Sequence, residues 1–170
     1  MRRKSLLYLL IGAVTLLSMS SVSAAVLSEE IELGGITLGM PQEVVQRTYG
    51  NPIERNRYGG DFYGNGLYVS VLSEKAMNIR AGGSGNGSEN KYYVSEIKIK
   101  DDCPLTTPSG IGLDSSVDEV LFVYGEPDAQ RQKPGCDICY IYYGSDMDGK
   151  QLMFYIKNEK LVRISCYLSD

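Results

Sequence analysis

Apolar and polar residues alternate at a period of two along several stretches of this chain, and recur at helical spacing in two others. In the second half the alternation predicts strands over 128–132, Ile138–Tyr143, 151–157 and 161–167. Asp148-Gly149 and the 157–160 segment serve as hairpin turns. In the first half it predicts strands over 53–58, Leu67–Ser73, 76–81 and Tyr92–Lys100, with the Gly, Ser and Asn tract at 82–90 as a mobile loop. Two short helices precede these sets. Pro41 opens the first, Val44, Val45, Thr48 and Tyr49 share one side of it, and Gly50 stops it. In the second, Ser116 and Glu119 have capping-box spacing, Val117, Val120, Leu121 and Tyr124 form the buried side, and Gly125 is the stop.

The two halves repeat one another. At an offset of 75 residues Gly35 falls on Gly110, Ile36 on Ile111, Leu38 on Leu113, Val45 on Val120, Tyr49 on Tyr124, Gly50 on Gly125 and Pro52 on Pro127, seven identities in eighteen ungapped positions. Recurrence of this kind marks duplication of a structural unit. The expected fold is α+β. Two tandem modules, 25–103 and 104–170, each contain a short helix and a four-stranded antiparallel meander, giving a sheet of about eight strands with the helices on one face.

Strand parity assigns the faces. Ile97, Ile99, Leu152, Phe154, Ile156, Val162 and Ile164 take the apolar parity and are expected under the helices. Lys98, Lys100, Met153, Tyr155, Arg163 and Tyr167 take the other parity, and with Tyr68 they form an expected open face rich in tyrosine. Tyrosine offers contact area with a polar tip at low entropic cost, which suits a recognition surface. The same tyrosines could equally just cover an exported sheet.

The amino terminus changes the expected setting. Met1-Arg2-Arg3-Lys4 is basic, Leu6 to Leu17 is almost wholly apolar, and Val22-Ser23-Ala24 fits a small-x-small cleavage site, so 1–24 reads as a secretory signal peptide. A periplasmic or extracellular protein beginning at Ala25, with no membrane span after cleavage, is expected. The segment holds three of the 17 basic residues and none of the 21 acidic ones, which leaves a formal charge of −7 on the remaining 146 residues. That balance argues against nucleic acid or an anionic membrane as partner. Histidine is absent, and with it the commonest general base and zinc ligand, so catalytic and metal chemistry fall back and neither cofactor nor metal is expected.

Cys103, Cys136, Cys139 and Cys166 are even in number and follow the expected signal, so structural disulfides are the default. The preferred pairing joins Cys136 to Cys139 and Cys103 to Cys166, the latter as the ends of the two modules' last strands. Cys139 and Cys166 share core parity and could instead meet across the sheet. The C-x-x-C spacing of Cys136 and Cys139 also admits a thiol-disulfide redox protein, although a strand rather than a helix follows it.

Gly35-Ile36-Thr37-Leu38-Gly39-Met40, followed by Val45 and Tyr49-Gly50, and the second copy of this pattern resemble the tandem module of the beta-lactamase inhibitor protein fold. The module used singly resembles that of small outer-membrane assembly lipoproteins, but no cysteine precedes Cys103 to carry a lipid. Gly60-Asp61-Phe62-Tyr63 resembles the Gly-Asp-Tyr-Tyr segment that the inhibitor family inserts into its target enzyme. The resemblance implies that Asp61 mimics a substrate carboxylate and that Phe62 and Tyr63 anchor the interface. The reading is an exported, non-enzymatic protein that binds a protein partner, of unknown identity, through the open face and the loop of Asp61, Phe62 and Tyr63. A cell-envelope structural or assembly component without a discrete site is the alternative.

Overall fold

Local chemistry sets the helices. In the computed structural model, which describes residues 26–56, 60–146 and 149–169, helix α1 spans Gln42–Tyr49. Helix α3 spans Val117–Tyr124 and carries both halves of the capping box: the Ser116 hydroxyl accepts from Glu119 N–H, and Ser116 N–H donates to the Glu119 carboxylate at 2.7 Å. The two helices end alike. Gly50 (φ 82°) donates to the Gln46 carbonyl and Gly125 (φ 73°) to the Leu121 carbonyl, each at 2.9 Å, in a backbone region that a side chain would strain. Their starts are also alike, since Pro41 bridges to Tyr93 and Ser116 to Lys160. The expected signal segment at 1–24 lies outside the described residues.

Nine strands among the described residues complete the fold. A small hairpin pairs β1 (Glu32–Leu33) with β2 (Ile36–Thr37). The main antiparallel sheet is built from β3 (Asp61–Gly64), β4 (Leu67–Ser73), β5 (Tyr92–Lys100), β6 (Ala129–Arg131), β7 (Ile138–Tyr143), β8 (Lys150–Lys157) and β9 (Lys160–Leu168). Its order is β3-β4-β5-β9-β8-β7-β6, so one meander of three strands and one of four meet where β5 pairs with β9.

One face of this sheet is the core. Val69, Ile97, Cys166, Leu152 and Tyr142 lie in one row across it and Leu67, Ile99, Ile164, Phe154 and Tyr140 in the next, by the pairing register. Val45 of α1, Val120 and Tyr124 of α3, and Leu33 and Ile36 of the hairpin close over them in a single apolar cluster. Tyr124, Tyr142 and Phe154 pack ring against ring at 5.4 to 5.8 Å between centroids. The repeated tyrosines each pair their hydroxyl: half-buried Tyr49 donates to the Gly34 carbonyl, while buried Tyr124 reaches Thr107 Oγ1 at 2.7 Å.

The structure corrects several expectations. Seven strands, not about eight, form the main sheet among the described residues. Ile53 and Glu54 contribute only a bridge to Phe62, and 57–59 lie outside the described residues. The stretch expected as a strand at 76–81 belongs to helix α2 (Glu74–Arg80), because the Ser73 hydroxyl caps it by accepting from Ala76 N–H. The 82–90 tract is tied to that helix: the Glu74 carboxylate accepts from Ser88 N–H at 2.8 Å and Lys75 pairs with Glu89 at 2.9 Å. Val162 is exposed rather than in the core. The register slips between Tyr155 and Ile156, pairing them with Arg163 and Leu161, and leaves Val162 as the extra residue of a bulge.

Candidate functional site

The face of the sheet turned away from α1 and α3 is written in three rows by the same register. Across the middle run Phe62, Tyr68, Lys98, Ser165, Met153, Ile141 and Ala129. On one side lie Lys100, Arg163, Tyr155, Cys139 and Arg131, and on the other Ser70, Glu96, Tyr167, Gln151 and Tyr143. These positions carry four cations, Lys98, Lys100, Arg131 and Arg163, against the single carboxylate of Glu96. The whole chain, by contrast, has a formal charge of −4. The sheet therefore concentrates positive charge on one side of an acidic protein.

Aromatic rings organise those cations. Tyr68 is half-buried, with the Lys98 ammonium 5.5 Å and the Lys100 ammonium 4.9 Å from its ring centroid, and the Phe62 ring 4.9 Å away on the edge strand. A cation over a tyrosine face is attracted by about 0.5 to 1 kcal/mol where water reaches it. Hydrogen bonding to Tyr68 pushes the Lys100 amine above the usual lysine range, with the nearby Asp101 carboxylate adding to it, so Lys100 is charged at neutral pH. Ser70 donates to the Glu96 carboxylate at 3.1 Å. Phe62, Tyr68, Lys98 and Lys100 thus form a connected, solvent-reachable patch.

The other half of the face is closed. Met153 and Tyr155 are buried with Cys139 and Ile141 in a second small apolar cluster, against which Ala129, Cys136 and Tyr167 pack. The Arg163 guanidinium lies 3.5 Å from the Tyr155 ring centroid and donates to the Pro134 carbonyl at 3.4 Å, leaving its Nε buried without a hydrogen-bond partner. Arg80 of α2 reaches over the half-buried Tyr167, 5.8 Å from its centroid. The expectation that Met153 and Tyr155 stand open to a partner is corrected: parity places them on this face, but long neighbours on the same face cover them.

The segment of Asp61, Phe62 and Tyr63 is not a loop. It is strand β3, and strand alternation divides its residues between the two sides of the sheet. Phe62 joins the cationic patch, whereas Tyr63 is buried in the main core and burial raises its phenol above the ordinary value, with the Asp61 charge adding to this. Asp61 stays on the helix side, where the Gln42 amide donates to it at 3.5 Å and it lines an open cleft with Arg55 and Tyr92. These three residues cannot enter a partner's pocket together. For Lys98 and Lys100, expected on this face by parity, the structure adds their placement around the Tyr68 ring.

All four cysteines are free thiols. Cys103 and Cys166 are not joined: β5 and β9 are antiparallel, and Cys166 is paired with Ile97, six residues before Cys103. Cys139 and Cys166 lie on opposite faces, one in the second cluster and one in the main core. Burial pushes the Cys166 thiol up, and among the described residues no group of three or more acidic or cysteine side chains is placed to hold a metal ion.

No family model matches this chain, and no curated protein does. Among solved structures, a DUF4309 family protein (YjgB) from Bacillus subtilis is similar over 79% of this chain and 83% of that one, at 16% identity and a TM-score of 0.42. No helix among the described residues is long and apolar enough to cross a membrane.

Proposed function

We propose that this is an exported, non-enzymatic binding protein, built from two tandem modules (25–103 and 104–170), that recognises an acidic surface on a protein partner. The observation that carries the reading is the patch of Tyr68 set between Lys98 and Lys100 with Phe62 alongside, on a chain whose overall charge is negative. Aromatic side chains held by a rigid sheet are frequent anchors of protein interfaces, and their ordering cost is already met by the fold. Charge of opposite sign on the partner would speed encounter and fix orientation.

The modular part of the proposal rests on equivalences between positions 75 residues apart. The bridges from Pro41 and Ser116, the glycine stops at Gly50 and Gly125, and the half-buried Tyr49 and buried Tyr124 recur in matching places. The export part rests on the basic and apolar start of the sequence. The role of an inserted inhibitory loop is not proposed, because Asp61 and Phe62 lie on opposite sides of β3.

The test is capture from the envelope and secreted fractions of the producing cell, with residues 25–170 as bait and the Phe62→Ala, Tyr68→Ala double variant as control. The expected result is an acidic protein held by the first, lost by the second, and released progressively as salt is raised. Capture that ignores both the variant and the salt would refute the face. The absence of any partner would favour a structural component of the envelope.

A further inference from the structure

The C-x-x-C pair plays no part in the binding patch, and its surroundings are unequal. Cys139 is fixed in β7, fully buried between Ile141, Met153 and Tyr155. Cys136 is partly exposed in the turn that precedes β7, packs against the same cluster, and its thiol donates to the Lys133 carbonyl at 3.4 Å. Pro134 and Gly135, the latter at φ 84°, form that turn, and it is held at its ends by Asp137 N–H donating to Ile156 and by the Arg163 contact to Pro134. One thiol is therefore immobile and sheltered, while its neighbour three residues away sits on a short turn and is reachable from water.

We infer that Cys136 and Cys139 form an exchangeable dithiol, in which Cys136 is the entry thiol and Cys139 the resolving one, and that its oxidant is a small-molecule disulfide. The Cys136 thiol loses its proton and attacks one sulfur of that disulfide, whose S–S bond breaks and releases one small thiolate, which takes up a proton. This leaves a mixed disulfide on Cys136. The Cys139 thiol then loses its proton and attacks the Cys136 sulfur, expelling the second small thiolate, which takes up a proton. Two protein thiols are oxidised by two electrons and one small disulfide is reduced to two thiols.

The surroundings support this order. Burial pushes the Cys139 thiol up to about 11, and a charge on Cys136 adds to the shift while Lys133 and Arg163 oppose it. Cys139 is thus a poor first nucleophile, but capping Cys136 as a mixed disulfide removes the charge that opposes its ionisation. A disulfide needs Cα atoms roughly 4.4 to 6.8 Å apart, and the 133–137 turn is the element that would close. Cys103 and Cys166 are both buried in the main core, where a disulfide reagent does not reach them from water.

The experiment equilibrates the folded, reduced protein with glutathione and glutathione disulfide in varied ratio, quenches with acid, alkylates the remaining thiols in denaturant and maps them by peptide mass. The expected result is joint loss of the Cys136 and Cys139 thiols to an internal disulfide, reversed by excess glutathione, while Cys103 and Cys166 remain alkylated. Cys139→Ser should stop at glutathione held on Cys136, and Cys136→Ser should leave Cys139 reduced. Oxidation of Cys103 or Cys166 ahead of the pair, or four free thiols in the wild-type protein at every ratio, would overturn the inference. The wild-type map decides this even if a serine variant fails to fold.

Discussion

Gly66 shows how tightly single positions are held. It turns β3 into β4 at φ 73°, and a methyl group there would come within 1.9 Å of the Lys100 carbonyl oxygen. Left-handed backbone alone costs a side chain about 1 to 2 kcal/mol, so with the clash Gly66→Ala should lose roughly 3 kcal/mol, read as a lowered urea midpoint. Titratable residues in the core make a second prediction. Burial raises Cys139 from 9.0 to about 11 and also raises Cys166, Tyr124 and Tyr142 above their ordinary values. Above about pH 9 the unfolded chain therefore releases protons that the native protein keeps, and stability falls as pH rises. Each fully engaged group contributes a slope of ~1.4 kcal/mol per pH unit. In reducing buffer the urea midpoint should drop between about pH 9 and about pH 11, whereas an unchanged midpoint would contradict the burial of these groups.

At the scale of elements, the helices differ in how much of them local residues specify. α3 carries its whole start signal in Ser116 and Glu119, and Ser116→Ala should cost about 1 kcal/mol, visible as a drop of a few degrees in Tm. α2 depends on its surroundings. Apart from the Ser73 cap, it is held by the 82–90 tract folding back through Glu74 to Ser88 and Lys75 to Glu89. Glu74→Ala should leave the sheet intact and speed amide exchange through 82–90, which would identify the Glu74 contact as the tether. Protection unchanged in that tract would assign its order to other contacts. Strand β3 escaped sequence reading because Asp61, Phe62 and Tyr63 are enclosed by Gly60 and Gly64, and glycines at both ends read as a turn. Its pairing comes from β4, which lies next in the sheet.

Across the whole molecule the two halves of the second face should respond differently to the same chemistry. Tyr155 is buried beneath Arg163 with Met153, so Tyr155→Ala should destabilise the fold by about 3 kcal/mol. Tyr68 is half-exposed between two lysines, so Tyr68→Ala should change Tm little while weakening a captured partner by about 1 to 3 kcal/mol. Urea melts of both variants, set beside partner titrations, separate these outcomes. Equal loss of stability in the two would mean that the face is structural throughout.

Residue order alone determined the features that act over one or two turns of chain: the capping box at Ser116, the glycine stops, the proline at the start of α1, and the period-two alternation of β4, β5, β7, β8 and β9. These depend on backbone conformation and nearest neighbours, so the information is local. What tertiary structure decided was long-range. The pairing of β5 with β9 fixed which cysteines are far apart, the bulge at Val162 displaced one residue from the apolar row, and the packing of Arg163 on Tyr155 closed half of a face that parity left open. Alternation tells which side a residue takes. Whether that side meets water depends on the lengths and charges of neighbours brought together from distant strands.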